Sequence, residues 1–227
     1  MKYDASKLTL LRCSNCGNDL GGLSTDIIFY CSECGNCWIS GEERLMPVSI
    51  EFVGTGDPGS VFLPFWKVDA SVNVRSRISR RESSTSGVNG FREFTGRERC
   101  LTGSGAESHK DRFIFPAFST SLVLSTGVKM HGENFLPEKV ESEKRFKVVG
   151  GSVGRDDAVS LARGVAVGVE VSRADFLASV DLEIEVHAAS IYAIGCTPKE
   201  HVFRVNGSEI MIPYTAVKDS DAIFKRK

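Results

Sequence analysis

Two short stretches, Cys13-Ser14-Asn15-Cys16-Gly17-Asn18 and Cys31-Ser32-Glu33-Cys34-Gly35-Asn36, repeat one pattern, Cys-Ser-x-Cys-Gly-Asn, with fourteen residues between Cys16 and Cys31. A two-residue gap lets one tight turn present two sulfurs to a single ion, and tetrahedral zinc takes four such ligands at about 2.3 Å. The glycine after each second cysteine permits the positive φ of a knuckle turn whose backbone N–H groups point at the thiolates. Cys13, Cys16, Cys31 and Cys34 are therefore the expected ligands of one structural Zn2+ per chain. Four thiolates leave no open coordination position, so this ion would hold a fold together and neither polarise a substrate nor activate water.

Three other uses of these cysteines compete. Disulfides need an oxidising compartment, and the N-terminus, Met1-Lys2-Tyr3-Asp4, lacks the basic-then-apolar layout of a secretory signal. A redox Cys-x-x-Cys normally stands once, between a strand and a helix, not as two facing copies. An iron–sulfur cluster is the nearest rival, because Cys37 adds a fifth thiol at another two-residue spacing. Cys100 and Cys196 read as a loop thiol and a core residue.

Around the cysteines, residues 1–46 read as a small module and residues 47–227 as a larger body. The module carries four Lys or Arg against six Asp or Glu, a formal −2 before any zinc thiolate is counted. That is the wrong sign for gripping phosphates. In the body, runs at residues 48–53 and 61–68 read as strands separated by a glycine-rich break. From Arg75 to Arg112 apolar periodicity nearly vanishes, and nine Lys or Arg face five acids. This segment is expected to be a mobile basic insertion, with Arg75, Arg77, Arg80 and Arg81 as its contacts to nucleic acid or to a partner.

Further strands are expected at 113–118 and 146–149. Ala158, Leu161, Ala162, Val165, Ala166 and Val169 mark one face of a helix, with Asp156 and Asp157 at its positive end. Gly164 and Gly168 weaken that helix by up to about 1 kcal/mol each relative to alanine. Ser172-Arg173-Ala174-Asp175 resembles a capping signature that would open a second short helix. Leu182, Ile184 and Val186 alternate with acids as in a strand, and Asn206-Gly207 between apolar runs signals a hairpin. The fold class expected is α+β, β-rich: a zinc-bound module and a mostly antiparallel β body with one or two helices.

With its paired knuckles, the N-terminal module resembles a zinc ribbon. The blocks Leu63-Pro64-Phe65-Trp66-Lys67-Val68 and Phe115-Pro116-Ala117-Phe118 resemble a group of uncharacterised bacterial proteins that join such a four-cysteine ribbon to a β-rich body. The resemblance implies zinc and supplies no catalytic residues, and fold-level likeness does not carry a function across.

Nothing else in the chain forms a catalytic constellation. Gly54-Thr55-Gly56-Asp57-Pro58-Gly59 fits G-x-G-x-x-G, but Pro58 and the strand-like run after it deny the helix a dinucleotide site needs. Gly150-Gly151-Ser152-Val153-Gly154 precedes the good helix, where Asp156 and Asp157 would repel phosphate, so an ordinary turn and N-cap is expected there. The four histidines, His109, His131, His187 and His201, show no metal spacing. Phe62, Phe65, Trp66, Phe113, Phe115 and Phe118 could stack on bases, but aromatics beside proline in strand-like runs more often fill a core. The 227 residues are 41% hydrophobic and 25% charged, with a formal net charge of −1 and no apolar run long enough to span a bilayer. A cytoplasmic, non-enzymatic binding or assembly subunit acting through protein–protein contacts is the expectation; a nucleic-acid-binding accessory protein using residues 75–112 is the alternative.

Overall fold

The computed structural model describes residues 11–22, 25–41, 44–54, 60–80, 98–100, 107–140, 146, 148–173 and 176–217. Two sheets are present. A three-stranded antiparallel sheet is built from β1 (Ile28–Tyr30), β2 (Cys37–Ser40) and β3 (Leu45–Val48), in that order. β3 thus runs across the boundary expected at residue 46.

The larger, seven-stranded sheet is organised by two long antiparallel strands, β5 (Val61–Arg80) and β8 (Phe176–Lys199). β4 (Ile50–Val53) lies parallel to β8 over Ile191–Ile194. Next to it along the same edge β9 (Val202–Val205) pairs with β8, and β10 (Met211–Pro213) pairs with β9. On its other side β5 pairs directly with β7 (Glu107–Pro116) over residues 65–74 and with β6 (Glu98–Cys100) over residues 78–80. Register shifts at Asp69/Ala70, Val74/Ser76 and Ile78/Ser79 interrupt the long pair, as bulges that bend and twist a strand do.

The two faces of β5 divide the core by the two-residue alternation of a strand. Trp66, Val68, Ala70 and Val72 face one cluster with Phe113, Phe115 and Ala117, over which α2 (Arg155–Ser172) lays Ala158, Ala162, Val165 and Ala166. Val61, Leu63 and Phe65 face a second cluster with Ile194, Phe203 and Ile212. The aromatics Phe62, Phe65, Trp66, Phe113, Phe115 and Phe118 are all buried, which bears out their reading as core residues. Trp66 Nε1 donates to the carbonyl of Val153, 3.0 Å away, and so satisfies its polar edge.

Helix α1 (Val123–Gly132) was hidden by its composition. Its buried positions, Val123, Thr126, Gly127 and Met130, have helical spacing, but two of them are not apolar side chains. The glycines explain the packing of the two helices. A Cβ on Gly127 would stand 2.6 Å from Val165 Cγ2, on Gly164 2.9 Å from Leu124 Cδ2, and on Gly168 2.5 Å from Val128 Cγ2. The residues that weaken α2 as an isolated helix are those that let α1 approach it.

Three expectations need correction. Residues 75–80 and 107–112 belong to β5 and β7, not to an insertion: the end of β5 pairs with β8, about 100 residues further along the chain, and residues 107–112 pair with residues 69–74 of β5, so neither pattern shows locally; residues 81–97 and 101–106 lie outside the described residues. Ser172 closes a helix rather than opening one: its Oγ donates to the Val169 carbonyl, Arg173 is extended, and β8 begins at Phe176. The strand expected at 146–149 is a bridge between Phe62 and Val148. The turn and N-cap expected before α2 are present, with Gly154 as an extended N-cap. The hairpin at Asn206-Gly207 is present, with Gly207 at φ 81°, although the pairing of Met211 with Arg204 makes its loop longer than two residues. Among the described residues no helix is long and apolar enough to cross a membrane.

Candidate metal centre

Both cysteine pairs fold into the same turn. Cys13 N–H donates to the Asn18 carbonyl at 2.8 Å, and Cys31 N–H to the Asn36 carbonyl at 2.9 Å. Gly17 N–H returns to the Cys13 carbonyl and Gly35 N–H to the Cys31 carbonyl, at 2.8 and 2.9 Å. Each turn ends with its glycine at positive φ, 75° at Gly17 and 77° at Gly35, a conformation that strains residues carrying a Cβ. The repeated sequence therefore produces a repeated structure, two knuckles facing one another.

Their sulfurs converge. The Sγ atoms of Cys13 and Cys34 are 3.4 Å apart, those of Cys16 and Cys31 are 3.5 Å apart, and all four lie within 4.8 Å of one another. Four sulfurs at about 2.3 Å from one ion would stand about 3.8 Å apart, so the cluster has the dimensions of a tetrahedral site. The turns also supply hydrogen bonds to sulfur. The Cys34 thiol is pulled down to about 6, first by the Asn36 backbone N–H, and Asn36 Nδ2 donates to Cys34 Sγ at 3.3 Å. Donors aimed at sulfur favour the thiolate that a metal requires. These residues fit a four-thiolate ion, which would supply a closed cross-link between the two turns.

Cys37 is not part of this cluster. It is buried in the body core, where burial pushes its thiol up to about 12. The fifth thiol that favoured an iron–sulfur cluster thus points away from the other four. Cys196 is likewise a core residue whose thiol burial raises to about 12. Cys100 pairs with Ile78 in β6, and its side chain lies outside the described residues.

Strand alternation ties the metal centre to the body. Phe29 and Trp38 point to the cysteine side and pack with Cys13, Leu20 and Cys31. Their neighbours Ile28, Cys37 and Ile39 point the other way and join the cluster built on Trp66 and Phe115. Gly151, in the loop before α2, accepts from the N–H groups of both Ile27 and Ile28, at 2.7 and 2.9 Å. A Cβ at Gly151 would meet the Ala117 carbonyl and Ile28 Cδ1 at 2.9 Å, so this glycine permits a close approach of backbones. Tyr30 stands edge-on to Phe52, and Phe52 to Phe62, with ring centroids 5.5 and 5.3 Å apart. The small sheet is thus one wall of the main core.

The basic cluster has a different fate. Arg77 is buried and donates to Glu170 Oε2 at 2.8 Å, which corrects its assignment as a phosphate or partner contact: the register shift beside Ser76 places it under α2. Arg75 is exposed and paired with Glu183. The side chain of Arg80 and the whole of Arg81 lie outside the described residues.

The tertiary structure brings together one set of titratable groups that the sequence kept apart. Asp111 Oδ2 is 2.8 Å from His131 Nε2 and 3.8 Å from His109 Nε2, beside a cleft of about 100 Å3 lined by Arg112, Asn134, Phe135 and Leu136 among others. The hydrogen bond that Asp111 Oδ2 accepts from His131 Nε2 raises the His131 pKa, and although burial pushes Asp111 up, this same bond holds it below the usual carboxylate range. Among the described residues no hydroxyl or thiol side chain lines the cleft. The pair is a charge-assisted link between β7 and α1. No family model, no curated protein and no solved structure matches this chain.

Proposed function

We propose that the chain is a non-enzymatic, zinc-stabilised binding or assembly subunit that acts through protein–protein contacts. The observation that carries this reading is the closed four-cysteine cluster whose supporting strands form a wall of the main core. A closed site of thiolates gives binding energy to folding and offers no position for substrate. Zinc fits the paired knuckles better than iron, given that Cys37 faces the opposite way. The nucleic-acid alternative is weakened by the basic cluster itself, since Arg75 and Arg77 are engaged with Glu183 and Glu170.

Elemental analysis of purified protein tests the metal: one zinc per chain is expected, and iron with visible absorbance would overturn it. Affinity purification from the native cell, washed at physiological salt, tests the role. A stoichiometric protein partner is expected. Retention of DNA or RNA that collapses between low and physiological salt, with no protein partner, would overturn the reading in favour of nucleic-acid binding.

A further inference from the structure

β8 is longer than the strands that cover it. Over Ile191–Ile194 its outer edge is taken by β4, and over Cys196–Lys199 by β9. From Leu177 to Ser190 no strand pairs with that edge among the described residues, although the inner edge is bonded to β5 throughout. An open edge of this length presents a row of unpaired backbone donors and acceptors, and natural proteins either block such an edge or use it to add a strand.

Two features of this edge indicate what would pair with it. On one face Val180, Ile184, Val186 and Ala189 are only partly buried against the main core, so apolar side chains of an added strand would extend that core. On the other face Asp181, Glu183 and Glu185 are exposed in a row, and no Lys or Arg occurs from Phe176 to Pro198. Glu183 is engaged by Arg75, while Asp181 and Glu185 have no ion-pair partner among the described residues. Antiparallel pairing of two copies along this edge would bring acids opposite acids, which is destabilising. The sign of the row selects against self-association and in favour of a basic strand.

We infer that the β8 edge from Leu177 to Ser190 takes an extended segment of a partner protein, with alternating Lys or Arg and apolar side chains, as an added strand in line with β4. The inference rests on the protein-contact reading above and assigns it a surface and a partner chemistry.

The test uses the full-length, metal-loaded chain and two capped ten-residue peptides, one alternating valine with lysine and one alternating valine with glutamate. Hydrogen exchange and fluorescence anisotropy at low salt should show the lysine peptide binding and slowing amide exchange between residues 178 and 190. The glutamate peptide should not bind. Glu185→Lys, at an exposed position, should weaken the lysine peptide at least tenfold, and Asp181→Lys combined with Glu185→Lys should admit the glutamate peptide. Equal binding of both peptides, or protection elsewhere in the chain, would overturn the inference. A symmetric dimer in sedimentation that protects 178–190 would also overturn it. A co-purified partner whose exchange footprint avoids 178–190 would refute this edge while leaving the protein-contact reading intact; failure to find any protein partner would refute that reading itself.

Discussion

Arg77 Nε donates to Glu170 Oε2 at 2.8 Å with both side chains 6% exposed, and Arg173 closes on the other carboxylate oxygen at 2.7 Å. This triad clamps the C-terminal turn of α2 to the far half of β5. Removing one member of a buried pair leaves the other charge without compensation, which costs about 3–5 kcal/mol. Arg77→Ala leaves Glu170 still paired with Arg173, whereas Glu170→Ala takes from the buried Arg77 the carboxylate it donates to. Glu170→Ala should therefore lower stability by about 3–5 kcal/mol in denaturant titration, and joint replacement of Arg77 and Glu170 by apolar residues of similar volume should recover most of the loss. Equal losses from the single and joint replacements would show that the clamp is not an ion pair.

The metal centre should stabilise more than its own turns. Ile28 and Ile39 belong to the core built on Trp66, so loss of the knuckles loosens a wall of that core. Cys16→Ser should abolish stoichiometric zinc and lower the single calorimetric transition of the whole chain. Two separate transitions, with the upper one unmoved, would show that the body folds independently of the metal.

Close approach of α1 and α2 makes a second stability prediction. Gly127→Ala gains helix propensity of about 1 kcal/mol, but the new methyl would stand 2.6 Å from Val165 Cγ2 and 3.2 Å from Phe115 Cβ. Overpacking of this kind costs about 1–3 kcal/mol. A net destabilisation is expected, seen as a lower melting temperature with far-ultraviolet circular dichroism unchanged. A rise in melting temperature would mean that the two helices stand further apart than these distances.

The Asp111–His131 link gives a pH dependence with a definite sign. The His131 pKa is raised by its bond to Asp111, so its contribution is complete below the unfolded value and is lost as pH rises through the folded one. Asp111 is lowered, so its contribution is present above the unfolded carboxylate value and is lost as pH falls through the folded one. Stability from this pair should be greatest between the two. His131→Ala should remove about 1.5–3 kcal/mol within that window and flatten the profile at its alkaline side. An unchanged profile from pH 4 to 9 would contradict the link.

The candidate site was legible because it is local: spacing, glycines and asparagines repeat within six residues, and the same backbone hydrogen bonds repeat with them. The core aromatics and the stripe of α2 were legible for the same reason, since period and residue type are read along the chain. Arg75 to Arg80 misled because a strand with Arg and Ser on alternate positions looks like a solvated loop until its partner is known. His131 and Asp111 are 20 residues apart on different elements, and no local pattern joins them.

By itself the sequence determined the knuckle turns, the convergence of four thiols, the polarity of α2 and the strand character of residues 61–68 and 182–186. Those outcomes follow from backbone preferences and from side-chain chemistry within a few residues. Only the tertiary structure decided that Cys37 faces away from the metal cluster, that Arg77 is buried against Glu170, and that the small sheet is a wall of the main core. Each of these depends on the register between segments far apart in the chain, where a shift of one residue turns a side chain from one face of a sheet to the other.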